Sequence, residues 1–290
     1  MTHKSQGKAQ SSWLMAHGSK RLNMINILPI TENIARGAGA ILREGVANMT
    51  QVHIQYKSSD VDPVTEYDRR SEAYIVQRLR EAFPGHAIVG EEGGAYDIDI
   101  AAYGPRYEWR VDPLDGTVNF AHGVPIFAVS LGLLIDDVPS VGVVYNPMTD
   151  ELFAAERGAG ATLNGKPIRV SQIANFKQAL LSTGFPYDRA TSPINNYQNF
   201  IAFKREVQAV RRLGAAALDL SFVACGRFDA YWELKIQPHD IAAGMLIVRE
   251  AGGMATDFVG HTDTPTLFAQ RQMVASNGLI HSDMLRVLKG

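Results

Sequence analysis

Asp112 and Asp115 stand three residues apart, separated by Pro113 and Leu114 and followed at once by Gly116 and Thr117. Asp-Gly-Thr reads as a turn running into a helix N-terminus, where free backbone N–H groups attract an anion. Two carboxylates facing such a place would repel a phosphate unless cations stood between them. A hard divalent ion such as Mg²⁺ takes oxygen ligands and bridges to phosphate, which resolves the conflict. From this motif alone, an Asp-rich surface turn reads equally well.

Other acids follow or precede apolar elements instead of sitting in charged surface runs. They are Asp68, the pair Glu91-Glu92, and Asp240, which precedes Ile241-Ala242-Ala243-Gly244. An N-cap accounts for Asp240 taken alone. Taken together, the four acid-bearing segments favour a cation cluster, because a hard-ion site built by protein needs carboxylates from separate places.

The elements that must position these groups are legible from periodicity. Tyr107, Trp109 and Val111 alternate with polar residues as in a half-buried strand, expected to end at Asp112 because Pro113 cannot donate to a ladder. Residues 87–90 read as a short buried strand delivering Glu91 at its end. Helices are expected over 25–44, 69–83, 195–207, 214–225, 241–252 and 279–288, with a short one after Thr117. Gly37-Ala38-Gly39 suggests close helix packing. Further strands are expected over 126–135, 140–145, 151–156, 180–183, 228–233 and 273–275, and Asn164-Gly165 marks a hairpin. Strands and helices come in blocks, which points to a layered mixed fold and away from a barrel.

Composition sets limits. The 290 residues are 46% hydrophobic and 20% charged with a net charge of −2, so no basic excess supports direct nucleic-acid binding. Cys225 is the only cysteine, which precludes an intrachain disulfide and fits a cytoplasmic setting; an inert, buried thiol is expected. No apolar stretch reaches membrane-spanning length. Residues 1–23 carry Lys4, Lys8, Lys20 and Arg21 without an acid. They are expected to form a disordered basic extension, or to precede a true start at Met24.

The chain resembles the inositol monophosphatase family of Mg²⁺-dependent, lithium-sensitive phosphomonoesterases. The resemblance rests on Gly90-Glu91-Glu92-Gly93, on Trp109-Arg110-Val111-Asp112-Pro113-Leu114-Asp115-Gly116-Thr117 and on Pro238-His239-Asp240-Ile241-Ala242-Ala243-Gly244. Lys57-Ser58-Ser59, Val64-Thr65-Glu66-Tyr67-Asp68 and Tyr231-Trp232-Glu233 support it. It implies an α+β fold, a layered α-β-α-β-α sandwich, with residues 24–290 as one catalytic unit. Its two parts would be 24–180, binding metal and phosphate, and 181–290, completing the substrate site.

Residue by residue, the resemblance implies that Glu91, Asp112 and the Leu114 carbonyl hold a first Mg²⁺, and Asp112, Asp115 and Asp240 a second. Glu91 would also face a third, weaker ion near the Lys57 loop. Gly116 and Thr117 would hold the phosphate through backbone N–H groups. The Thr117 hydroxyl and Asp68 would orient and deprotonate the attacking water. Glu233, Gly214, Ala215 and Ala216 would surround the inositol hydroxyls. Glu92 would orient neighbours or be solvated. The implied substrate is a small phosphorylated polyol, best matched by inositol 1-phosphate, and the implied assembly a cytoplasmic homodimer. Fructose 1,6-bisphosphate, histidinol phosphate and 3′-phosphoadenosine 5′-phosphate are the substrates of other branches. A transcription-machinery partner, as in some bacterial relatives, is the reading from a different class. The chain departs from the family pattern at His239, where an aromatic residue is usual; packing is expected of it in preference to metal binding. Arg211-Arg212 could bind an anionic substrate, but is expected instead to pair with acids or line a dimer interface.

Overall fold

The computed structural model describes residues 27–48, 54–56, 63–96 and 104–289. The basic segment 1–23 and the Lys57 loop lie outside these. Helix α1 (Ile27–Ala47) and helix α2 (Glu66–Ala82) follow one another across a small ribbon of β1 (Ile54–Tyr56) and β2 (Pro63–Thr65). The Gly-Ala-Gly step of α1 does bring it close to its neighbours. A Cβ on Gly37 would overlap the Tyr74 ring of α2, and one on Gly39 would come within 2.5 Å of Tyr145.

Strands β3 (Ala87–Gly90), β4 (Ala95–Tyr96) and β5 (Tyr107–Asp115) come next, then the short helix α3 (Thr117–Ala121). A meander completes the large sheet: β6 (Ala128–Ile135), β7 (Val138–Asn146), β8 (Glu151–Glu156), β9 (Gly160–Leu163) and β10 (Lys166–Pro167). Its order is β10-β9-β8-β7-β6-β5-β3-β4, antiparallel except between β3 and β5. The β9–β10 hairpin turns on Asn164 and Gly165, both at positive φ as a tight primed turn requires.

The second sheet is built from β11 (Leu180–Thr183), helix α4 (Tyr197–Glu206), β12 (Ala209–Arg211), helix α5 (Ala216–Ala224) and β13 (Ala230–Leu234). Helix α6 (Pro238–Glu250), β14 (Met254–Thr256), helix α7 (Thr264–Gln270), β15 (Gln272–Ser276) and helix α8 (His281–Lys289) close the chain. The strand order is β12-β11-β13-β15-β14. Helices α1 and α2 cover the outer face of the large sheet, α5 and α6 fill the space between the sheets, and α4 and α8 cover the small one. This is the layered α-β-α-β-α arrangement expected. No helix among the described residues is long and apolar enough to cross a membrane.

Helix α6 is the element that joins the layers. It lies directly on the large sheet because Gly132 and Gly142 face it without side chains. A Cβ on Gly132 would meet Ala242 at 2.8 Å, and one on Gly142 the Ala243 carbonyl at 2.7 Å. Substituting either would force helix from sheet, and so move Asp240 relative to β5.

Two boundary expectations are corrected. Strand β5 does not stop at Asp112 but continues through Pro113 to Asp115, with a register shift between Asp112, opposite Ser130, and Asp115, opposite Ala128. Pro113 is accommodated at that irregularity, where the ladder skips donors. Asp240 does not cap α6. Gln237 occupies the cap, Pro238 begins the helix and Asp240 sits at the third position of a capping box, accepting from Gln237 N at 2.9 Å.

Candidate active site

Strands β3 and β5 run parallel with Gly90 opposite Val111. Their next residues, Glu91 and Asp112, therefore emerge side by side at the same end of the sheet. The irregularity in β5 turns the chain so that Asp115 follows into the same place, and α6 brings Asp240 from the layer behind. A cavity of about 800 Å³ opens there. Glu91, Asp112, Leu114, Asp115, Gly116, Thr117, Gly214, Ala215, Ala216, Glu233 and Asp240 all line it.

Each aspartate is oriented by backbone N–H groups. Asp112 Oδ1 accepts from Leu114 N at 3.0 Å. Asp115 accepts from Ala216 N at 3.0 Å and Ala217 N at 2.8 Å, and so caps α5 across a hundred residues of sequence. Each carboxylate oxygen retains a further lone pair, so such bonds aim the group without exhausting it. Burial, the neighbouring Glu91, then Asp115 and Asp240 push the Asp112 carboxyl well above the usual range. Burial and then Asp240 do the same to Asp115. Burial raises Asp240 too, against the opposing influence of His239.

Among the described residues, no three His, Cys, Asp or Glu side chains are gathered closely enough to hold an ion as they stand. The donor set nonetheless fits a hard dication. It consists of oxygen atoms, its aspartates are pinned by backbone donors, and its members raise one another's proton affinity by repulsion that a positive charge would relieve.

Asp68 does not line the cavity. It is fully buried behind Thr117, whose hydroxyl lies 3.0 Å from Asp68 Oδ1 and 3.1 Å from the Leu114 carbonyl oxygen. The other Asp68 oxygen accepts from Thr65 N at 2.8 Å and Thr65 Oγ1 at 2.6 Å, closing the capping box of α2. Burial lifts the Asp68 carboxyl to about 6 against those bonds. Gly116, at φ 94°, makes the left-handed turn into α3; a Cβ there would be crowded by the Ile126 carbonyl at 3.0 Å and the Gly214 carbonyl at 3.2 Å.

At the far wall, Glu233 accepts from Tyr231 Oη at 2.5 Å, and burial raises its carboxyl to about 7. His239 is half-buried on the cavity wall with Nε2 3.4 Å from Asp240 Oδ1. Arg212 is exposed and reaches the cavity, where its charge faces Glu233 and Asp219. Cys225 is half-buried at the end of α5, its thiol pushed up by burial.

Two residues were not legible as parts of the site. Glu72, 2% exposed on α2, accepts from Glu92 N at 2.8 Å and Gly93 N at 2.5 Å, and so ties down the segment bearing Glu91. Its signal was a carboxylate one helical turn beyond Asp68 on the apolar face. Asp219, 1% exposed, lines the cavity from α5, and its Oδ1 has no hydrogen-bond partner among the described residues. Its signal was a single acid inside Ala216–Ala224, an otherwise uncharged helix.

Residues 23–289 match the model of the inositol monophosphatase family. An inositol-1-monophosphatase of Synechocystis sp. is 47% identical over 235 residues, covering 81% of this chain and 79% of the relative. The Nus factor SuhB of Pseudomonas aeruginosa is 44% identical over 236 residues, covering 81% of this chain and 86% of that protein. The solved structure of an inositol monophosphatase from Anabaena (Nostoc) sp. superposes with a TM-score of 0.80 at 42% identity, covering 92% of this chain and 96% of the other.

Proposed function

The chain belongs to the inositol monophosphatase family, and on that premise we propose that it is a Mg²⁺-dependent phosphoric monoester hydrolase that releases phosphate from inositol 1-phosphate. The observation that carries the reading is the convergence of Glu91, Asp112, Asp115 and Asp240 on one cavity beside the Thr117–Asp68 pair. Glu91, Asp112 and the Leu114 carbonyl would hold one ion, and Asp112, Asp115 and Asp240 a second. Glu91 would also face a third near the Lys57 loop. When bound, Mg²⁺ supplies the charge that neutralises phosphoryl oxygens and lowers the pKa of water.

The chain's own residues do the rest. Gly116 and Thr117 present the backbone turn that seats the phosphate. The Thr117 hydroxyl orients the attacking water and passes its proton toward Asp68, whose carboxyl is lifted to about 6, near the range of a general base at neutral pH. Glu233 accepts hydrogen bonds from polyol hydroxyls on the opposite wall, flanked by Gly214, Ala215 and Ala216. Aqueous phosphate-monoester hydrolysis is among the slowest reactions known, so electrostatic complementarity of this kind must supply most of the acceleration.

A panel of phosphomonoesters assayed with Mg²⁺, with and without lithium, tests the proposal. Inositol 1-phosphate turnover that needs Mg²⁺ and falls with lithium supports it; indifference to chelators defeats it. The reading includes residues 24–290 acting as one catalytic unit, in a homodimer, in the cytoplasm. The relative named Nus factor SuhB favours a second reading, association with the transcription machinery. Retention of a transcription component by a catalytically dead variant in a pull-down would support that role.

A further inference from the structure

We propose that Gly184 is a specificity-determining residue, acting through Glu233: its missing side chain is the space in which the Glu233 carboxylate stands. The inference rests on the reading of Glu233 as the polyol-facing group. A Cβ built on Gly184 would overlap both carboxylate oxygens and Cδ of Glu233. The same carboxylate accepts from Tyr231 Oη at 2.5 Å, and Tyr231 is fully buried. Glu233 is thus held by a donor on one side and given its room by an absent methyl on the other.

Gly184 cannot drift away from that place. Its carbonyl accepts from Asn196 Nδ2 at 2.6 Å, and the same nitrogen reaches Thr183 Oγ1 at 2.9 Å. Thr183 Oγ1 in turn donates to the Trp232 carbonyl at 2.6 Å. Asn196 Oδ1 accepts from Trp232 Nε1 at 2.8 Å. Asn196 itself is 4% exposed and holds φ at 74°, which asparagine tolerates better than most residues. This network fastens the segment after β11 to β13, the strand that carries Tyr231 and Glu233, since Thr183 and Trp232 are register partners.

The clash in a Gly184→Ala variant falls on the end of a flexible side chain, not on backbone, and Gly184 does not adopt positive φ. The variant should therefore fold and relieve the overlap by moving Glu233 off Tyr231. The expected result is a rise of roughly tenfold in KM for inositol 1-phosphate, the cost of a misplaced charged acceptor. kcat should change by less than about threefold, because the phosphate end is untouched. KM for p-nitrophenyl phosphate, which lacks ring hydroxyls, should move by less than about twofold. Tyr231→Phe, which keeps the packing and removes the donor, should shift KM in the same direction. Glu233→Asp draws the carboxylate back from position 184, so in the double variant with Gly184→Ala the KM effect should fall short of the product of the single effects.

Melting midpoints report the same clash without substrate: Gly184→Ala should cost stability that is smaller in the Glu233→Asp background. Equal KM shifts for both esters, or independent effects of positions 184 and 233 on KM and melting, overturn the inference. Wild-type protein that hydrolyses neither ester defeats the phosphatase reading instead, and the melting coupling then still decides the steric claim.

Discussion

The single proton of the Thr117 hydroxyl has two acceptors, Asp68 Oδ1 at 3.0 Å and the Leu114 carbonyl at 3.1 Å. Of the Thr117–Asp68 pair, only Thr117 lines the cavity. On the proposed reading, a proton leaving a water in the cavity would reach Asp68 through Thr117. Thr117→Ala and Asp68→Asn should each lower kcat by roughly 10²–10³ at saturating Mg²⁺. The double variant should be no worse than the more damaging single change, because both interrupt one relay. Thr117→Ser should retain most activity. Losses that multiply in the double variant would sink the relay.

Asp112 stands among three repelling carboxylates, with Glu91, Asp115 and Asp240 all raising its proton affinity. Asp112→Asn should abolish Mg²⁺-dependent release of phosphate from inositol 1-phosphate. It should also raise the melting midpoint in the presence of a chelator by a few degrees, because a neutral amide removes one of the repelling buried charges. The stabilisation that Mg²⁺ gives the wild type should shrink in the variant. Calorimetric scans with Mg²⁺ and with chelator read both effects. Wild-type-like turnover would end the metal assignment.

Glu72 offers a test that touches no proposed ligand. Its two oxygens accept from Glu92 N and Gly93 N and so hold the segment on which Glu91 rides. The side chain also fills the space beside Gly90, where a Cβ would come within 2.6 Å of it. Glu72→Gln keeps the bulk but replaces one acceptor with a donor facing an N–H. The Mg²⁺ concentration for half-maximal activity should rise by roughly 10- to 100-fold, the usual cost of losing an outer partner of a metal site. An unchanged Mg²⁺ requirement would show that the segment holds itself.

Much of the candidate site was legible in the chain because its densest part is local. Asp112, Leu114, Asp115, Gly116 and Thr117 lie within six residues, and the strand pattern before them fixes where they emerge. Glu91 was legible for the same reason, as an acid at the end of a short apolar run. What escaped depends on pairing between distant segments. The continuation of β5 past Pro113 relies on how β6 skips register, which no local propensity encodes. Asp240 looked like a cap because Gln237, which caps instead, is an uncommon choice. Glu72 carried no local mark of its role, since its partners are backbone N–H groups twenty residues on. Nothing local marks Gly184, because what it accommodates is a carboxylate from another strand.

His86 makes stability depend on pH away from the site. It accepts from Trp109 Nε1 through Nδ1 at 3.1 Å and stacks on Tyr107 at 4.4 Å between ring centroids, with Phe83 at 5.2 Å on an almost parallel plane. Burial pushes its imidazole down from 6.5 to about 4, and the Trp109 bond requires Nδ1 to be unprotonated. Between pH 6.5 and about 4 the unfolded chain therefore binds a proton at this residue that the folded chain does not. Stability from His86 is complete above pH 6.5 and is lost as pH falls through that window. The loss is on the order of 2 kcal/mol once partial exposure is allowed for. His86→Phe preserves stacking but leaves Trp109 Nε1 without its acceptor, so the variant should be less stable than wild type at pH 7.5. Urea unfolding at pH 7.5 and pH 4.5 should then show the gap between the two proteins narrowing by about that amount at the lower pH. Comparing the two proteins cancels the titration of Asp68 and Glu233, which is common to both. A gap that stays constant across the window would mean that His86 titrates alike in folded and unfolded chains.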